Sequence, residues 1–394
     1  MTQGANGHSS GMRRIADGET GDAAVGRDRP ALSPDDALPP VEPPSASFII
    51  KLFVVPAVIV AVVVGVVMCF QRIAQSDASA ESYLAAIERG ANNAWQCAND
   101  LAHLLQQDPS LRSDETTATR LSNIVTARIR SGPPQADTVE KVKQEVGLRV
   151  FLCKALGEFA TPAAMPGLLE AARKNAPSAS PPSADEKVAK AISDGQSQVR
   201  KAALEGLALL IHHMRAAGEA VDVQEPLKLA LEASRETGPN HQRAIRERAA
   251  YALGVIGGET AAARLVEMLG DLHSNVRFNA ATGLARQGNA KGLPVLREMI
   301  DPDESVAMNV GLEEQGTEAE KLSEAAKASL KAEMEATIRF SGLSAVEQLA
   351  GQKNTASAPD WTGIIAVIEK LRDDPNTHPR VKSKAVEVLN QLEH

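Results

Sequence analysis

The chain has 394 residues, of which 43% are apolar and only 3% aromatic, and its formal charge at pH 7 is -8. This acidic balance and the shortage of aromatic rings argue against a nucleic-acid-binding protein, since such proteins rely on clustered Lys and Arg and on stacking side chains. The three Cys show no CxxC or other metal-ligand spacing, which argues against a disulfide framework and a thiolate metal site. We therefore expect Cys69, Cys97 and Cys153 to pack as small apolar residues.

The N-terminal segment is rich in Gly, Ala, Asp, Pro and Ser and shows no apolar periodicity. A segment of this composition cannot bury enough apolar surface to offset the entropy that it would lose on ordering. The composition therefore predicts a disordered tail over residues 1–47.

An uncharged run of 19 residues extends from Leu52 to Phe70. A helix of that length spans about 28 Å, close to the thickness of the hydrocarbon core of a bilayer. Lys51 and Arg72 flank the run, so their charged ends can reach the headgroups. We predict a single transmembrane helix over residues 48–72, with membrane contact through residues 52–70, followed by a linker over residues 73–92.

A cleaved signal peptide is the alternative to this anchor, because Ala78, Ser79 and Ala80 supply a small-residue site at which the chain could be cut after Ala80. The run of roughly 50 residues before the apolar segment is too long for a signal peptide and favours an uncleaved anchor. Lys and Arg are more numerous before the span than after it, which favours a cytoplasmic N-terminus. We expect the rest of the chain on the opposite side of a bacterial inner membrane.

A helical repeat begins at about residue 93. Segments starting at Ile245 and Val276 align at an offset of 31 residues with seven matching positions. Their pattern is an aliphatic residue, a basic residue, a small or aliphatic residue four positions after the start and an aliphatic residue eight after it, which places these side chains on one helix face. Six starts follow the pattern: Leu148-Arg149, Val199-Arg200, Ile245-Arg246, Val276-Arg277, Ile338-Arg339 and Val381-Lys382.

Each start is predicted to open a helical hairpin, and turn signals surround it. An aliphatic residue twenty positions after the start marks the second helix, at Leu168, Leu265 and Leu296. Glycines mark the turn between the two helices, at Gly257, Gly258 and Gly288. Asx residues five positions before four of the starts indicate a turn or a helix start, at Asp194, Asn240, Asp271 and Asn376.

A single hairpin cannot form a core alone, so stacked neighbours are predicted to make an all-α, α-solenoid domain over residues 93–394. The first unit is atypical, with an apolar face made by Ala94, Cys97, Leu101 and Leu104. Two inserts are expected, near 174–195 and near 303–335. The second insert predicts a solvated helix with local ion pairs among Glu320, Lys321, Glu324 and Lys327.

The aliphatic-Arg start, the Ala pair, the Leu-Gly and the period of about 31 residues resemble HEAT repeats. The subtype that they are most similar to is the short form of phycobilisome lyase-like proteins. The resemblance implies a HEAT/ARM-like superhelix, and together with the anchor it is similar to bacterial membrane-anchored HEAT-repeat proteins. It specifies an architecture more than an activity.

Motifs for catalysis are missing from the sequence. It has no HExxH, P-loop, GxSxG or dinucleotide fingerprint, and it lacks the His-Glu dipeptides of the di-iron branch of HEAT-like proteins. The adjacent His212 and His213 point about 100 degrees apart on a helix and do not chelate one metal well, so one packed and one exposed His is expected. We predict no catalytic residue, no cofactor or metal site and no small-molecule substrate.

The basic residue of each start, from Arg149 to Lys382, has a structural and a functional interpretation. It could form a ladder for an acidic ligand, but we expect it to bond turn carbonyls and carboxylates between repeats, with Asp194 and Asp271 as acceptors. Trp95 and Trp361 lie near opposite ends of the array and are expected to pack.

These observations predict a membrane-anchored HEAT-repeat scaffold that binds one or more protein partners on the concave face of its solenoid and is not an enzyme. The alternative, implied only by the resemblance, is a phycobilin lyase-like enzyme subunit or a chaperone for a chromophore protein.

Overall fold

The computed structural model of the chain describes residues 55–76, 79–91, 93–134, 138–174, 185–237, 240–301, 323–351 and 359–393. These residues form helices and turns with no strand among them, so the predicted all-α class is confirmed for the described part. The helices are α1 Val55–Ser76, α2 Ala80–Glu88, α3 Ala94–Gln107, α4 Glu115–Arg130, α5 Val139–Gly157, α6 Met165–Ala172, α7 Glu186–Ala216, α8 Gln224–Ser234, α9 Asn240–Ile256, α10 Glu259–Met268, α11 Ser274–Arg286, α12 Leu293–Ile300, α13 Glu324–Ala350, α14 Thr362–Asp373 and α15 Pro379–Glu393.

The chain divides into two units between Gln71 and Arg72. The predicted disordered tail and the first part of the predicted membrane segment, up to residue 54, lie outside the described residues. Helix α1 begins at Val55, and its valines and isoleucine are exposed wherever their side chains are described, as at Ile59, which is 57% exposed. None of the helices in the described ranges is both long and apolar enough to cross a membrane.

From α3 onward the helices pack in two rows. One row consists of α3, α5, α7, α9, α11, α13 and α15, in which each helix contacts the next. The other row contains α4, α6, α8, α10, α12 and α14, which pack alongside the first row. Because the first-row helices meet one another in chain order and the second-row helices cover one side of them, this arrangement is that of an α-solenoid.

The repeat positions chosen from the sequence lie on the buried face of the first row. The residues four and eight positions after each start are all buried, from Leu152 and Leu156 in α5 to Ala385 and Leu389 in α15. The second-helix markers Leu168, Leu265 and Leu296 are fully buried. One start departs from the pattern, since Ile338 in α13 is only partly buried.

The predicted glycine turns are confirmed. Gly257 and Gly258 lie between α9 and α10 with φ of 74° and 90°, and Gly288 follows α11 with φ of 72°. Residues other than glycine rarely adopt these left-handed angles, so glycine is required for the chain to reverse there.

Glycine also permits close crossings between first-row helices. A Cβ on Gly254 of α9 would lie 2.6 Å from the Cα of Gly283 in α11, and a Cβ on Gly157 of α5 would lie 2.8 Å from the Cα of Gly206 in α7. In each pair one glycine lies nine positions after its repeat start and the other lies seven after the next start. The two backbones therefore touch at these crossings, and a side chain on either residue would separate them.

Two segments differ from the sequence prediction, the linker and the first insert. The linker expected over residues 73–92 contains helix α2, which packs on α3 through the fully buried Leu84 and Ile87. Ser79 begins this helix with a capping box, in which its hydroxyl accepts from the Ser82 N–H and the Ser82 side chain caps in return. The ordered array thus starts before residue 93, because a short helix with two large apolar residues is enough to cover the end of α3.

The predictions at the first insert need a correction. Asp194 does not mark a turn, because α7 runs without a break from Glu186 to Ala216. Val188 and Ile192 lie at helical spacing before Val199 and are buried, so they extend the apolar stripe through the second half of the expected insert. The loop itself, over residues 175–184, lies outside the described residues.

The second insert is described only from residue 323 onward. Ser323 caps α13, and Lys327 pairs with Glu324 at 2.8 Å, as the sequence predicts. Glu320 and Lys321 lie outside the described residues.

Candidate functional site

The basic residue of each repeat start was the first candidate for a ligand ladder. Arg149 donates to the carbonyl of Gly132 at 2.8 Å, and Arg200 donates to the carbonyl of Ala172 at 2.9 Å. These carbonyls lie just after α4 and at the end of α6, where helical carbonyls have no partner within their own helix. The structural interpretation is therefore confirmed for these two residues.

Arg246 and Arg277 both bind Asp271, in the turn between α10 and α11. Arg246 donates two hydrogen bonds of 2.8 and 3.1 Å to the Asp271 carboxylate, and it also donates to the Glu236 carbonyl at 3.1 Å. Arg277 donates to the Asp271 carbonyl at 3.1 Å and pairs with Glu298. Burial would raise the pKa of Asp271, but the hydrogen bonds from Arg246 and from the His273 N–H, together with the charge of Arg246, hold that pKa below its ordinary value. The predicted role of Asp271 as an acceptor is thus confirmed.

Arg200 does not use Asp194, the other predicted acceptor. Its guanidinium pairs instead with Glu236 at 2.9 Å, across the solenoid from α7 to the turn after α8. The two remaining ladder residues make fewer contacts, since Arg339 lies 3.6 Å from Glu335 on its own helix. Four of the six basic residues, Arg149, Arg200, Arg246 and Arg277, therefore bond the ends of helices and turns.

The thiols and imidazoles offer little reactivity in the described part of the chain. Burial raises the pKa of the Cys153 thiol to about 12, and Cys97 is also buried, which agrees with the packing role expected for both. His212 is exposed and His213 half-buried, as expected for the pair. Burial, helped by the charge of Arg112, lowers the pKa of His213, so its ring is neutral at pH 7. No group of three or more metal-ligating side chains occurs among the described residues.

The two tryptophans differ in their burial. Trp361 packs against the core formed by α11 to α15. Trp95 is 39% exposed, and its ring lies 6.0 Å from that of Phe151. Packing accounts for Trp361 fully and for Trp95 in part.

A groove of about 510 Å³ crosses α9, α11 and α13, and sequence reasoning did not find it. We call it the aromatic groove, because Tyr251, Phe278 and Phe340 line it, three of the 11 aromatic residues in the chain. Arg380 adds a cation that lies 4.0 Å from the centre of the Phe340 ring. Rings and arginines are the residues that contribute most to protein interfaces.

The polar lining of the aromatic groove comes from small amide and hydroxyl side chains. Asn275 and Asn279 extend from α11, and Ser341 and Ser344 extend from α13. Asn279 donates to the Asn275 carbonyl at 2.9 Å, which leaves its amide oxygen available as an acceptor. Such side chains can bond the backbone of an extended peptide while the rings hold its apolar side chains.

Aromatic residues so far apart in sequence gave no signal of this groove. Tyr251 and Phe340 are separated by more than one repeat and by the second insert, and only the stacking of α9, α11 and α13 brings them to one surface. The one available clue is that Tyr251 lies on α9 two positions before the buried Leu253, and thus off the predicted core stripe.

A comparison with protein families matches HEAT repeats to residues 239–311. No curated protein matches the chain. Among solved structures, human deoxyhypusine hydroxylase in complex with glycerol is similar over 76% of this chain and 97% of that chain, at 16% identity and a TM-score of 0.28. That TM-score is too low to support a conclusion about this chain. The protein therefore contains HEAT repeats, and they coincide with the segment of clearest internal repetition and with two of the helices that line the aromatic groove.

Proposed function

We propose that this protein is a membrane-anchored scaffold that binds a protein partner in the aromatic groove and catalyses no reaction of its own. The observation that carries the proposal is that three rings, two arginines (Arg286, 5.8 Å from the centre of the Tyr251 ring, and Arg380) and a row of small polar side chains line one groove of the repeats. HEAT repeats present long surfaces built from neighbouring helices, which suits a partner in extended or helical form.

The anchor is supported by sequence and by the exposure of α1. The 19 uncharged residues from Leu52 to Phe70 would be costly to leave in water, and Val60 and Val63 of α1 are more than half exposed. A lipid environment would cover such a helix on all sides. We further propose that the N-terminus is cytoplasmic and that the solenoid lies on the opposite side of the membrane.

Cross-linking of a tagged, full-length copy in its native membrane tests the scaffold. After gentle detergent extraction, mass spectrometry should find one dominant partner whose cross-links map beside α9, α11 and α13. Arg380→Glu reverses a charge at the exposed rim of the groove and should abolish these cross-links. Lys228→Glu, which makes the same charge change on the distant helix α8, is the matched control and should retain them. A partner that is unaffected by Arg380→Glu would contradict binding in the groove.

An alkaline carbonate wash of isolated membranes tests the anchor. The full chain should stay in the pellet, and a chain without residues 48–72 should be released. Protease treatment of intact spheroplasts should degrade the solenoid if the proposed orientation is right. Release of the full chain by carbonate would refute the anchor.

A further inference from the structure

A second concavity lies in another part of the solenoid, between the ends of α4 and α6 and the sides of α7 and α9. Its volume is about 630 Å³, within the range of roughly 300 to 1,000 Å³ typical of ligand pockets. We call it the basic cleft, because five cationic side chains line it: Arg130, Arg149, Arg173, Lys174 and Arg200. Ile129, Val146 and Ile245 add apolar surface to its walls.

Only two carboxylates, Glu170 and Glu236, line the basic cleft among the described residues, so its lining carries five cations and two anions. Arg149 also pairs with Glu145 beside the cleft at 2.9 Å, and counting this carboxylate leaves a formal surplus of +2. Each carboxylate is shared. Glu170 lies 3.5 Å from Arg130 and 3.1 Å from Arg173, and Glu236 lies 2.9 Å from both Lys174 and Arg200. A surplus of positive charge in a chain of net charge -8 favours an anionic ligand at this place.

Two of the paired cations are exposed enough to contact a ligand as well. The side chains of Arg130 and Lys174 are 68% and 66% exposed, so they can turn towards a ligand with little loss of packing. Hydrogen bonds from Arg200 and Lys174 outweigh the effect of burial and hold the pKa of Glu236 below its ordinary value. Glu236 therefore stays charged at pH 7 and keeps Arg200 fixed in position.

Two buried polar atoms in the walls of the basic cleft have no partner among the described residues. One is Nη2 of Arg200, whose side chain is only 8% exposed, and the other is Oε1 of Gln242. A buried donor or acceptor without a partner is unfavourable by about 1 to 3 kcal/mol. The first atom needs an acceptor and the second needs a donor, so a ligand that carries both would satisfy them.

We infer that the basic cleft binds an acidic, extended segment of a protein partner. A carboxylate of the segment accepts from Arg200, with Arg173 and Lys174 closing over it, and a backbone N–H of the segment donates to Gln242. A polypeptide supplies both groups, whereas a small dicarboxylate such as glutarate, which has no N–H or O–H when ionised, supplies only acceptors. The inference rests on the proposed function in one respect, since the ligand is part of a protein partner, but it concerns a different surface.

Fluorescence anisotropy with two labelled peptides tests the inference on the full chain in detergent. In one peptide Glu alternates with Ser and Leu, and in the other every Glu is Gln. The Glu peptide should bind at least about tenfold more tightly than the Gln peptide, and added salt should weaken the binding of the Glu peptide. Equal binding of the two peptides, or binding of neither, would overturn the inference.

Variants locate the binding. Arg173→Gln with Lys174→Gln removes two charges from exposed side chains and should weaken the Glu peptide about tenfold. Lys228→Gln with Arg297→Gln removes the same charge from similarly exposed residues outside the cleft and should leave the affinity unchanged. Equal effects of the two pairs would show that the peptide responds to net charge alone, and would overturn the site.

Further measurements distinguish a peptide ligand from a small carboxylate. They also distinguish failure of the basic cleft from failure of the aromatic groove. Glutarate should compete with the Glu peptide only weakly, and binding of glutarate without binding of the peptide would overturn the peptide ligand. Arg200→Lys retains the positive charge but lacks the planar, two-pronged guanidinium. The variant should bind the Glu peptide more weakly while its circular dichroism spectrum is unchanged. Cross-links at the aromatic groove that are lost in Arg380→Glu, with no peptide binding, would refute the basic cleft and leave the scaffold intact. Peptide binding without those cross-links would refute the groove alone.

Discussion

The basic residue of the repeat start has different surroundings in the middle and at the C-terminal end of the solenoid. In the middle, Arg246 makes three hydrogen bonds to two neighbouring turns and is 13% exposed. Near the end, Arg339 has one long contact with Glu335 on its own helix, and the side chain of Lys382 makes no hydrogen bond or ion pair with the residues that the structure describes. The difference teaches that a recurrent residue type does not imply a recurrent contact, because the acceptor comes from the neighbouring turn and not from the repeat itself.

In the C-terminal repeats, other residues form the ion pairs that stabilise the solenoid. Lys384, two positions after the ladder residue, pairs with Glu347 of α13 at 2.7 Å and with Glu387 at 3.0 Å. Asp301, at the end of α12, lies 3.5 Å from Arg297 of its own helix. Ion pairs at positions that the repeat pattern does not predict thus stabilise the C-terminal end of the solenoid.

The largest expected effect comes from Arg246→Gln. Removing one partner of a mostly buried, two-bond ion pair leaves Asp271 without compensation, so the free energy of unfolding should fall by about 2 to 4 kcal/mol. Arg339→Gln should change it by less than about 1 kcal/mol. Urea denaturation of the two variants in parallel checks this, and similar losses in both would contradict the comparison.

A second prediction concerns the crossing of α9 and α11. Gly254→Ala should destabilise the fold by about 1 to 3 kcal/mol, because the new Cβ meets backbone in α11 at 2.6 Å. Gly147→Ala, in the interior of α5 with nothing within 4 Å of its Cβ, should stabilise it by about 0.5 to 1 kcal/mol. Thermal denaturation should show opposite shifts, and a neutral Gly254→Ala would disprove the close crossing.

Acid should affect the middle of the solenoid through Asp271. The pKa of Asp271 is lowered in the folded protein, so the stability it contributes is present above the unfolded pKa of about 4 and is lost as the pH falls through the folded value. Unfolding free energies measured from pH 6 downward should therefore fall below about pH 4. Asp271→Asn should be less stable at pH 6 and should show a flatter pH dependence, and an unchanged slope would contradict the assignment.

The smallest expected effect separates two neighbouring lysines. Lys384→Gln removes two ion pairs from a side chain that is 11% exposed, and should reduce stability by about 1 kcal/mol. Lys382→Gln should change it by less than about 0.5 kcal/mol, although Lys382 is the residue in the repeat pattern. A larger loss of stability in Lys382→Gln than in Lys384→Gln would show that the basic residue of each repeat start stabilises the C-terminal repeats too.

Much of the solenoid could be predicted because helix periodicity is local. The residues at four and eight positions after each start, the second-helix leucines and the glycine turns all depend on segments of about 30 residues. The HEAT repeats are confirmed where the pattern is clearest, over residues 239–311. By contrast, Asp194 was assigned to a turn because its spacing matched the other Asx residues, while the apolar Val188 and Ile192 that continue α7 before it carried the stronger signal.

The candidate sites could not be predicted, because each joins residues from distant parts of the chain. The position of Arg200 in the repeat predicts that it bonds a turn or helix-end carbonyl, and this role is confirmed. Nothing in its spacing shows that Gln242 and Lys174 line the same cleft. The phycobilisome lyase-like subtype and the anchor remain predictions, since they depend on resemblance and on residues that are only partly described.

The close helix crossings have a consequence for how such an array can change its length. Gly157 of α5 meets Gly206 of α7, and Gly254 of α9 meets Gly283 of α11. The corresponding positions between α7 and α9, and between α11 and α13, hold buried alanines, namely Ala208, Ala252, Ala285 and Ala345. Glycine and alanine crossings therefore alternate from α5 to α13, so this part of the array repeats with a period of two hairpins, whereas the next crossing has Glu347 and Val388 at these positions. Gain or loss of two hairpins within this part would keep every crossing matched in size, whereas gain or loss of a single hairpin would set glycine against alanine at one crossing.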